Sequence, residues 1–293
     1  MKGVLPFRAK RIGRNVLDVH LEFSNKRREY WFLMISDAHT DNAKCDVDMQ
    51  RRHLEEMVKR DGAWLSNGDL FCAMQGKWDR RRDQDDLLPE LRGNDYLDRL
   101  VEFHANYYEK YAERCLLLGD GNHETAILSH HETDLTQRLT SVMRDRTGSG
   151  VVSHGYSGWV VFRCRRARAQ GTIRLYRHHG FGGSSPVTKG VIQANRIGTW
   201  CPDANVILLG HNHNEWIFPV ARARINKSGR TYSDEQLFVR VPGYKDEWGD
   251  GAAGWSVEKG FGPHPRGAAW LRVYTSWTKG GDAEFCYEVT RAK

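Results

Sequence analysis

The chain is predicted to be an α/β protein, and three observations carry that prediction. Short apolar runs recur along it, YWFLMIS, AWLSNG, CLLLGDG, TIRLYR and NVILLG, of a length that suits buried strands. Each run stops abruptly at a polar cluster rich in Asp, Asn or His. Stretches of helical periodicity lie between the early runs, as crossover helices do between parallel strands.

In chain order, NVLDVHLEF alternates like a strand, and YWFLMIS then runs into SDAH, with Asp37 and His39. CDVDMQRRHLEEMVKR reads as the first crossover helix, after which AWLSNG runs into Asp69. A polar, helix-like segment from about residue 83 to 114 is longer than an ordinary crossover. Either residues 78–114 lie over the strand ends as a cap, carrying Trp78, Arg80 and Tyr96 toward a substrate, or they form the outer helical layer. CLLLGDG leads into GNHE, with Asn122 and His123, and ETAILSHHETDLTQRLTSVMRDR reads as one helix starting near Glu124. Its N-terminus would point N–H groups toward a phosphate. TIRLYR runs into the pair His178 and His179, and NVILLG into GHNH, with His211 and His213. Beyond His213, the stretches LFVRVP, AAWLRVYTSW and AEFCYEV suggest the second sheet of a sandwich. No repeat or low-complexity linker interrupts the chain, so residues 1–293 are expected to form a single domain.

The five clusters supply enough oxygen and nitrogen donors for two metal ions. Imidazole and carboxylate together suit manganese, iron or zinc, whereas an all-oxygen site suits magnesium or calcium. A carboxylate such as Asp69 can bridge two cations about 3.5–4 Å apart. Open α/β sheets bind ligands beyond the carboxyl ends of their strands, where all five clusters stand. Gly68, Gly121, Gly180 and Gly210 fit sharp exits from strands, through positive φ or close backbone approach. Taken singly, a histidine is more often a hydrogen-bonded or surface residue, and an Asp a turn or N-cap residue. The ordered coincidence of the clusters is what points to a metal site.

That ordered set, D-x-H, G-D, G-N-H-E, H-G and G-H-x-H, resembles the calcineurin-like metallophosphoesterase superfamily over Asp37 to His213. The resemblance implies a four-layer sandwich of two mixed β-sheets flanked by helices, with a binuclear metal site at strand C-terminal ends. Asp37, His39 and His213 would hold one metal and Asn122, His179 and His211 the other, with Asp69 bridging. His123 would assist departure of the leaving oxygen, and a metal-bridging hydroxide would attack the phosphorus of a phosphomonoester or phosphodiester. Within the H-G motif His179 is preferred over His178, because it directly precedes Gly180 and shares a strand face with Ile173 and Leu175. His154, in SHG, reads as a turn histidine.

Phosphoprotein phosphatases of the superfamily follow G-D with D-R-G, whereas this chain has GDLFCAMQGKWDRR. The GDLF start is similar to the superfamily's double-strand-break nucleases, although GHNH departs from their final motif and no DNA-capping domain is evident. A DNA nuclease and a non-catalytic binding scaffold therefore stand as alternatives to a general phosphoesterase.

Composition agrees with this reading. The chain is 40% apolar and 28% charged, ample for a large core. Its net charge of +7 favours anionic partners such as phosphate esters and leaves nucleic acid open. Basic runs, among them Arg80 to Arg82 and Arg163 to Arg168, read first as solvated faces. No apolar stretch approaches the roughly 20 residues that span a bilayer, and no signal-peptide pattern opens the chain, so a cytoplasmic location without membrane association is expected. No obligate protein partner is indicated. The six cysteines lack close C-x-x-C pairs, so they are expected to be reduced and structural, without a zinc–thiolate site.

Overall fold

The computed structural model describes residues 5–73, 86–183, 185–252, 255–258 and 260–292. The chain begins with β1 (Phe7–Gly13), β2 (Val16–Glu22), β3 (Glu29–Ile35), α1 (Val47–Lys59), β4 (Ala63–Ser66), α2 (Tyr96–Tyr108) and β5 (Cys115–Leu118). It continues with α3 (Asn122–His131), α4 (Leu135–Thr147), β6 (Val152–Ser153), β7 (Ser157–Arg166), β8 (Ala169–His178) and α5 (Val191–Trp200). The last elements are β9 (Val206–Leu209), β10 (Trp216–Ile225), β11 (Thr231–Arg240), the single turn α6 (Trp255–Glu258), β12 (Ala268–Trp277) and β13 (Ala283–Ala292).

Two mixed sheets result. One has the order β1-β2-β7-β8-β9-β11-β10, the other β13-β12-β3-β4-β5-β6. In the second sheet β3, β4, β5 and β6 run parallel, while β12 adds antiparallel to β3. The sheets pack face to face across one core, where Phe32 of β3 meets Phe162 of β7 at 4.6 Å between ring centroids. Helices cover the outer faces: α1 lies against β3 and β4, and α5 against β9. The molecule is thus a four-layer α/β sandwich. Among the described residues no helix is long and apolar enough to cross a membrane.

The four-residue runs of β4, β5 and β9 are buried at every position, as parallel strands covered on both faces must be. Asp46 caps α1 by accepting the Met49 amide at 2.9 Å, and the helix buries Gln50, His53, Leu54 and Met57, one stripe at helical spacing. Trp64 of β4 is fully buried and stacks on Tyr108 of α2 at 5.0 Å. Truncating such an aromatic to Ala typically costs about 3–5 kcal/mol.

Two sequence expectations need correction. The strands after His213 do not form one second sheet: β10 and β11 extend the sheet of β8 and β9, whereas β12 and β13 join β3. Alternation reveals a strand but not its neighbour, so the pattern could not assign these four. The expected long helix after Glu124 is two helices. Glu132 turns left-handed at φ 53°, and Asp134 starts α4 by accepting the Gln137 amide at 2.8 Å. Of the two readings left open for residues 78–114, α2 follows the outer helical layer: it packs Tyr96, Leu100, His104 and Tyr108 inward, and Tyr96 is only 4% exposed. Trp78 and Arg80, on the same proposed cap, lie outside the described residues.

His154 is 1% exposed and makes no side-chain hydrogen bond with the described residues. Burial and the neighbouring Arg177 push its pKa down to about 3, so the folded chain holds it neutral. The unfolded chain takes up a proton near pH 6.5 and the folded chain does not, so this residue's contribution is complete above pH 6.5 and shrinks as pH falls toward 3. Urea unfolding in chelator should show wild type losing about 2 kcal/mol more between pH 7.5 and pH 5 than His154→Leu does. Equal losses in the two proteins would refute the buried neutral histidine.

Candidate metal centre

Strand ends from both sheets meet at one place. Asp37 and His39 follow β3, Asp69 follows β4, and Asn122 and His123 open α3 just beyond β5. From the other sheet, His179 directly follows β8, and His211 and His213 follow β9. Asp37, His39, Asp69, His211 and His213 all adopt left-handed backbone, with φ of 49°, 44°, 51°, 74° and 52°. Such conformations cost a non-glycine residue about 1–3 kcal/mol and concentrate at functional sites. The glycines divide into the two expected kinds. Gly68 and Gly180 have positive φ, whereas a Cβ on Gly210 would stand 1.9 Å from Ser36 Oγ and 2.5 Å from Asp37 Oδ2.

Six of the donors expected from the sequence fall into two groups, Asp37 with His39 and His213, and Asp69 with His179 and His211; within each group the ligand atoms lie within 4.8 Å of one another. Asp37 Oδ1 is 3.5 Å from His213 Nε2, and Asp69 Oδ2 is 3.2 Å from His179 Nε2. Asn122 Oδ1 joins the second group, 3.1 Å from His179 Nε2 and 2.7 Å from His211 Nδ1. His179 Nδ1 lies 3.0 Å from the Asn67 carbonyl and donates to it, which turns Nε2 toward the donors. His123 is held likewise through Nδ1 and the Cys72 carbonyl at 2.5 Å, leaving Nε2 3.8 Å from Asp69 Oδ2. His178 faces elsewhere: its Nδ1 accepts the Gly180 amide at 3.0 Å and its ring meets Phe181. The structure thus gathers Asp37, His39, Asp69, Asn122, His179, His211 and His213, with His123 beside them.

These residues fit cations. Asp37 and Asp69 are 0% and 2% exposed, and buried carboxylates need positive charge close by. Burial works to raise Asp37, but His179 and His213 outweigh it and hold the group below the usual carboxylate range. Asp69 is likewise held low, by His179 and His123 against its burial. Burial would lower His179, yet Asp69 and Asp37 bring it up to about 9. His39 is driven well down by burial and by His123, and its Nδ1, buried and unpartnered among the described residues, is an orphaned donor atom.

Sequence reasoning gave Glu124 no role beyond marking the helix start. Its carboxylate accepts the amides of Asp69 at 3.0 Å, Phe71 at 3.1 Å and Gly121 at 2.7 Å, so it fastens the Asp69 loop to the α3 N-terminus. A Glu at the third position of a helix is the usual sign of such a back-reaching cap. The expectation that this N-terminus points its N–H groups at a phosphate needs revising, since the Gly121 amide is engaged by Glu124 and the His123 amide by Asp69 Oδ1 at 2.9 Å. A cleft of about 440 Å³ opens beside His211 and His213, with Lys189, Glu247, Phe261 and His264 among its walls. Ser256 and residues 260–265, which also line it, carried no chemical signature in the sequence.

Glu124→Gln keeps the shape of the side chain but turns an NH₂ toward at least one amide that now has an acceptor. The expected result is a fall in manganese affinity of about 10- to 100-fold by calorimetric titration. Unchanged affinity would show that the clamp is dispensable.

No family model matches the chain, and no curated protein matches it by sequence. Among solved structures, a conserved uncharacterized protein from Streptococcus pneumoniae TIGR4, described as a predicted phosphoesterase, is 12% identical, with a TM-score of 0.32 over 90% of this chain and 98% of that one. Vps29 of Chaetomium thermophilum is 10% identical, with a TM-score of 0.34 over 89% of this chain and 96% of its own. A hypothetical protein from Thermus thermophilus is 12% identical, with a TM-score of 0.32 over 90% of this chain and all of that one. In the order of its motifs and the place where they meet, between two mixed sheets, the chain is similar to the calcineurin-like metallophosphoesterase superfamily.

Proposed function

We propose that the chain is a metal-dependent hydrolase of phosphate esters, and the convergence of Asp37, His39, Asp69, Asn122, His179, His211 and His213 is the observation that carries the proposal. Asp37, His39 and His213 would hold one divalent cation, Asn122, His179 and His211 a second, and Asp69 would bridge them. The carboxylate and imidazole mixture favours manganese, with iron or zinc as alternatives. Such cations, when bound, neutralise phosphoryl oxygens and make water nucleophilic near neutral pH.

The protein's own groups supply the rest. His123 is fixed through Nδ1, so its Nε2 is the atom that donates a proton to the departing alkoxide. Asn67 keeps the His179 ring in the orientation that offers Nε2. The cleft beside His213 has room for the organic part of a compact ester, with Lys189 on its wall to favour an anion. No side chain of the cluster is required as a covalent nucleophile, so configuration at phosphorus should invert. The intact donor set with His123 in place favours catalysis over a non-catalytic scaffold.

Purified protein reconstituted with manganese, iron or zinc should turn over a nitrophenyl monoester or diester. The relative rates on monoesters, diesters, cyclic nucleotides and single- or double-stranded DNA separate a general phosphoesterase from a DNA nuclease. Asp69→Asn should lower both bound metal and turnover, and retention of configuration on a chiral phosphorothioate would exclude the mechanism. His123→Ala should keep its metal and lose about 10²- to 10⁴-fold in kcat, with the larger loss on esters of poor leaving groups. A loss independent of the leaving group would remove His123 from the role of acid.

A further inference from the structure

Cys72 was expected to be an inert core thiol, since no second cysteine stands near it in the sequence. The fold gives it different company. Cys72 lies beyond β4, His39 beyond β3 and His123 on the first turn of α3, and one ligand atom from each lies within 4.8 Å of the other two. The rings of His39 and His123 are 4.8 Å apart between centroids. Cys72 is 1% exposed and His39 2%. Among the described residues the thiol is tied only by the Asn42 side-chain amide, which donates to Sγ at 3.1 Å, and the His39 Nδ1 has no hydrogen-bond partner. The loop itself is fixed, because the Cys72 and Ala73 amides both donate to the Asp41 carboxylate, at 2.6 and 2.9 Å.

One sulfur and two imidazole nitrogens make a donor set unlike the carboxylate-bearing groups beside it. Manganese prefers oxygen donors, whereas zinc and other thiophilic ions gain from a thiolate. Three protein donors with a fourth position open is a common arrangement for zinc, at about 2.3 Å to sulfur and 2.0–2.1 Å to nitrogen. Closing to that shell from within 4.8 Å asks for shifts of about an ångström in these side chains.

We propose that His39, Cys72 and His123 form a second, thiophilic cation site, exclusive with the group of Asp37, His39 and His213, and that a zinc-like ion bound there inhibits hydrolysis by occupying His123. Exclusivity follows from His39, which belongs to both groups and as a neutral imidazole has a single lone pair to give. On binding, the ion forms a bond to Cys72 Sγ and the thiol proton passes to solvent. The inhibitory half rests on the phosphoesterase reading above; the existence of the site does not.

Two measurements test it. Metal-free protein titrated with cobalt(II) should develop a thiolate-to-cobalt charge-transfer band that is absent in Cys72→Ser and Cys72→Ala and retained in Cys286→Ser. Zinc K-edge absorption on wild type, which needs no variant to fold, should resolve a single sulfur at about 2.3 Å. Absence of sulfur from the zinc shell, or a cobalt band that survives both Cys72 substitutions, overturns the site. For inhibition, zinc is added to manganese-loaded protein hydrolysing a nitrophenyl ester, each variant being normalised to its own rate without zinc. Half-inhibition of wild type should require at least about tenfold less zinc than in either Cys72 variant, since losing a donor weakens binding by that much or more. Equal zinc sensitivity overturns the inhibitory role. A manganese-loaded protein that cleaves no phosphate ester would instead defeat the proposed function while the spectroscopic result stands on its own.

Discussion

The arrangement of this molecule depends on a contact between its two sheets: the amide of His211, beyond β9, donates to both carboxylate oxygens of Asp37, beyond β3, at 3.0 and 2.8 Å. Gly210 makes it attainable, since any Cβ there would collide with Ser36 and Asp37. The Ser36 hydroxyl donates to the same carboxylate at 2.5 Å, and Arg240 donates from beneath to the Gly210 carbonyl at 2.8 Å. Around this point the backbone accepts five left-handed non-glycine residues. That strain persists because the loops are over-determined: the Asp37 amide donates to the Gly68 carbonyl and the His39 amide to the Asp69 carbonyl, at 3.0 and 3.1 Å.

Much of this was legible in the sequence, for a definable reason. A buried parallel strand needs an unbroken apolar run, and a site beyond its end needs polar residues at once, so the junctions at Asp37, Asp69, Asn122, His179 and His211 carry two signals each. What stayed hidden depends on contacts between segments distant in sequence. Whether β12 pairs with β3 or with β11 leaves no mark on its alternation, and the break at Glu132 needed tertiary context to outweigh a helical pattern that looked continuous. Glu124 was visible as a letter of the motif, but the loop carrying Asp69 and Phe71 reaches it only in the fold. Cys72 shows the same limit most sharply, since counting cysteine spacings cannot register two histidines brought from beyond β3 and from α3.

The donors are also divided between the sheets by charge. Asp37 and Asp69, with Asn122, His39 and His123, come from the sheet of β3, β4 and β5, while the sheet of β8 and β9 contributes only the imidazoles of His179, His211 and His213. The anionic half of the centre is therefore built on one rigid scaffold, and Glu124, also on that scaffold, keeps the Asp69 loop against α3. Every carboxylate–imidazole pair that crosses, such as Asp69 with His179 at 3.2 Å, is then an attraction between the layers. A cation placed among them would replace that attraction with bonds to both sheets. In such a site, metal affinity and the cohesion of the sandwich are expressions of the same free energy, because the donors come together only when the two layers are packed.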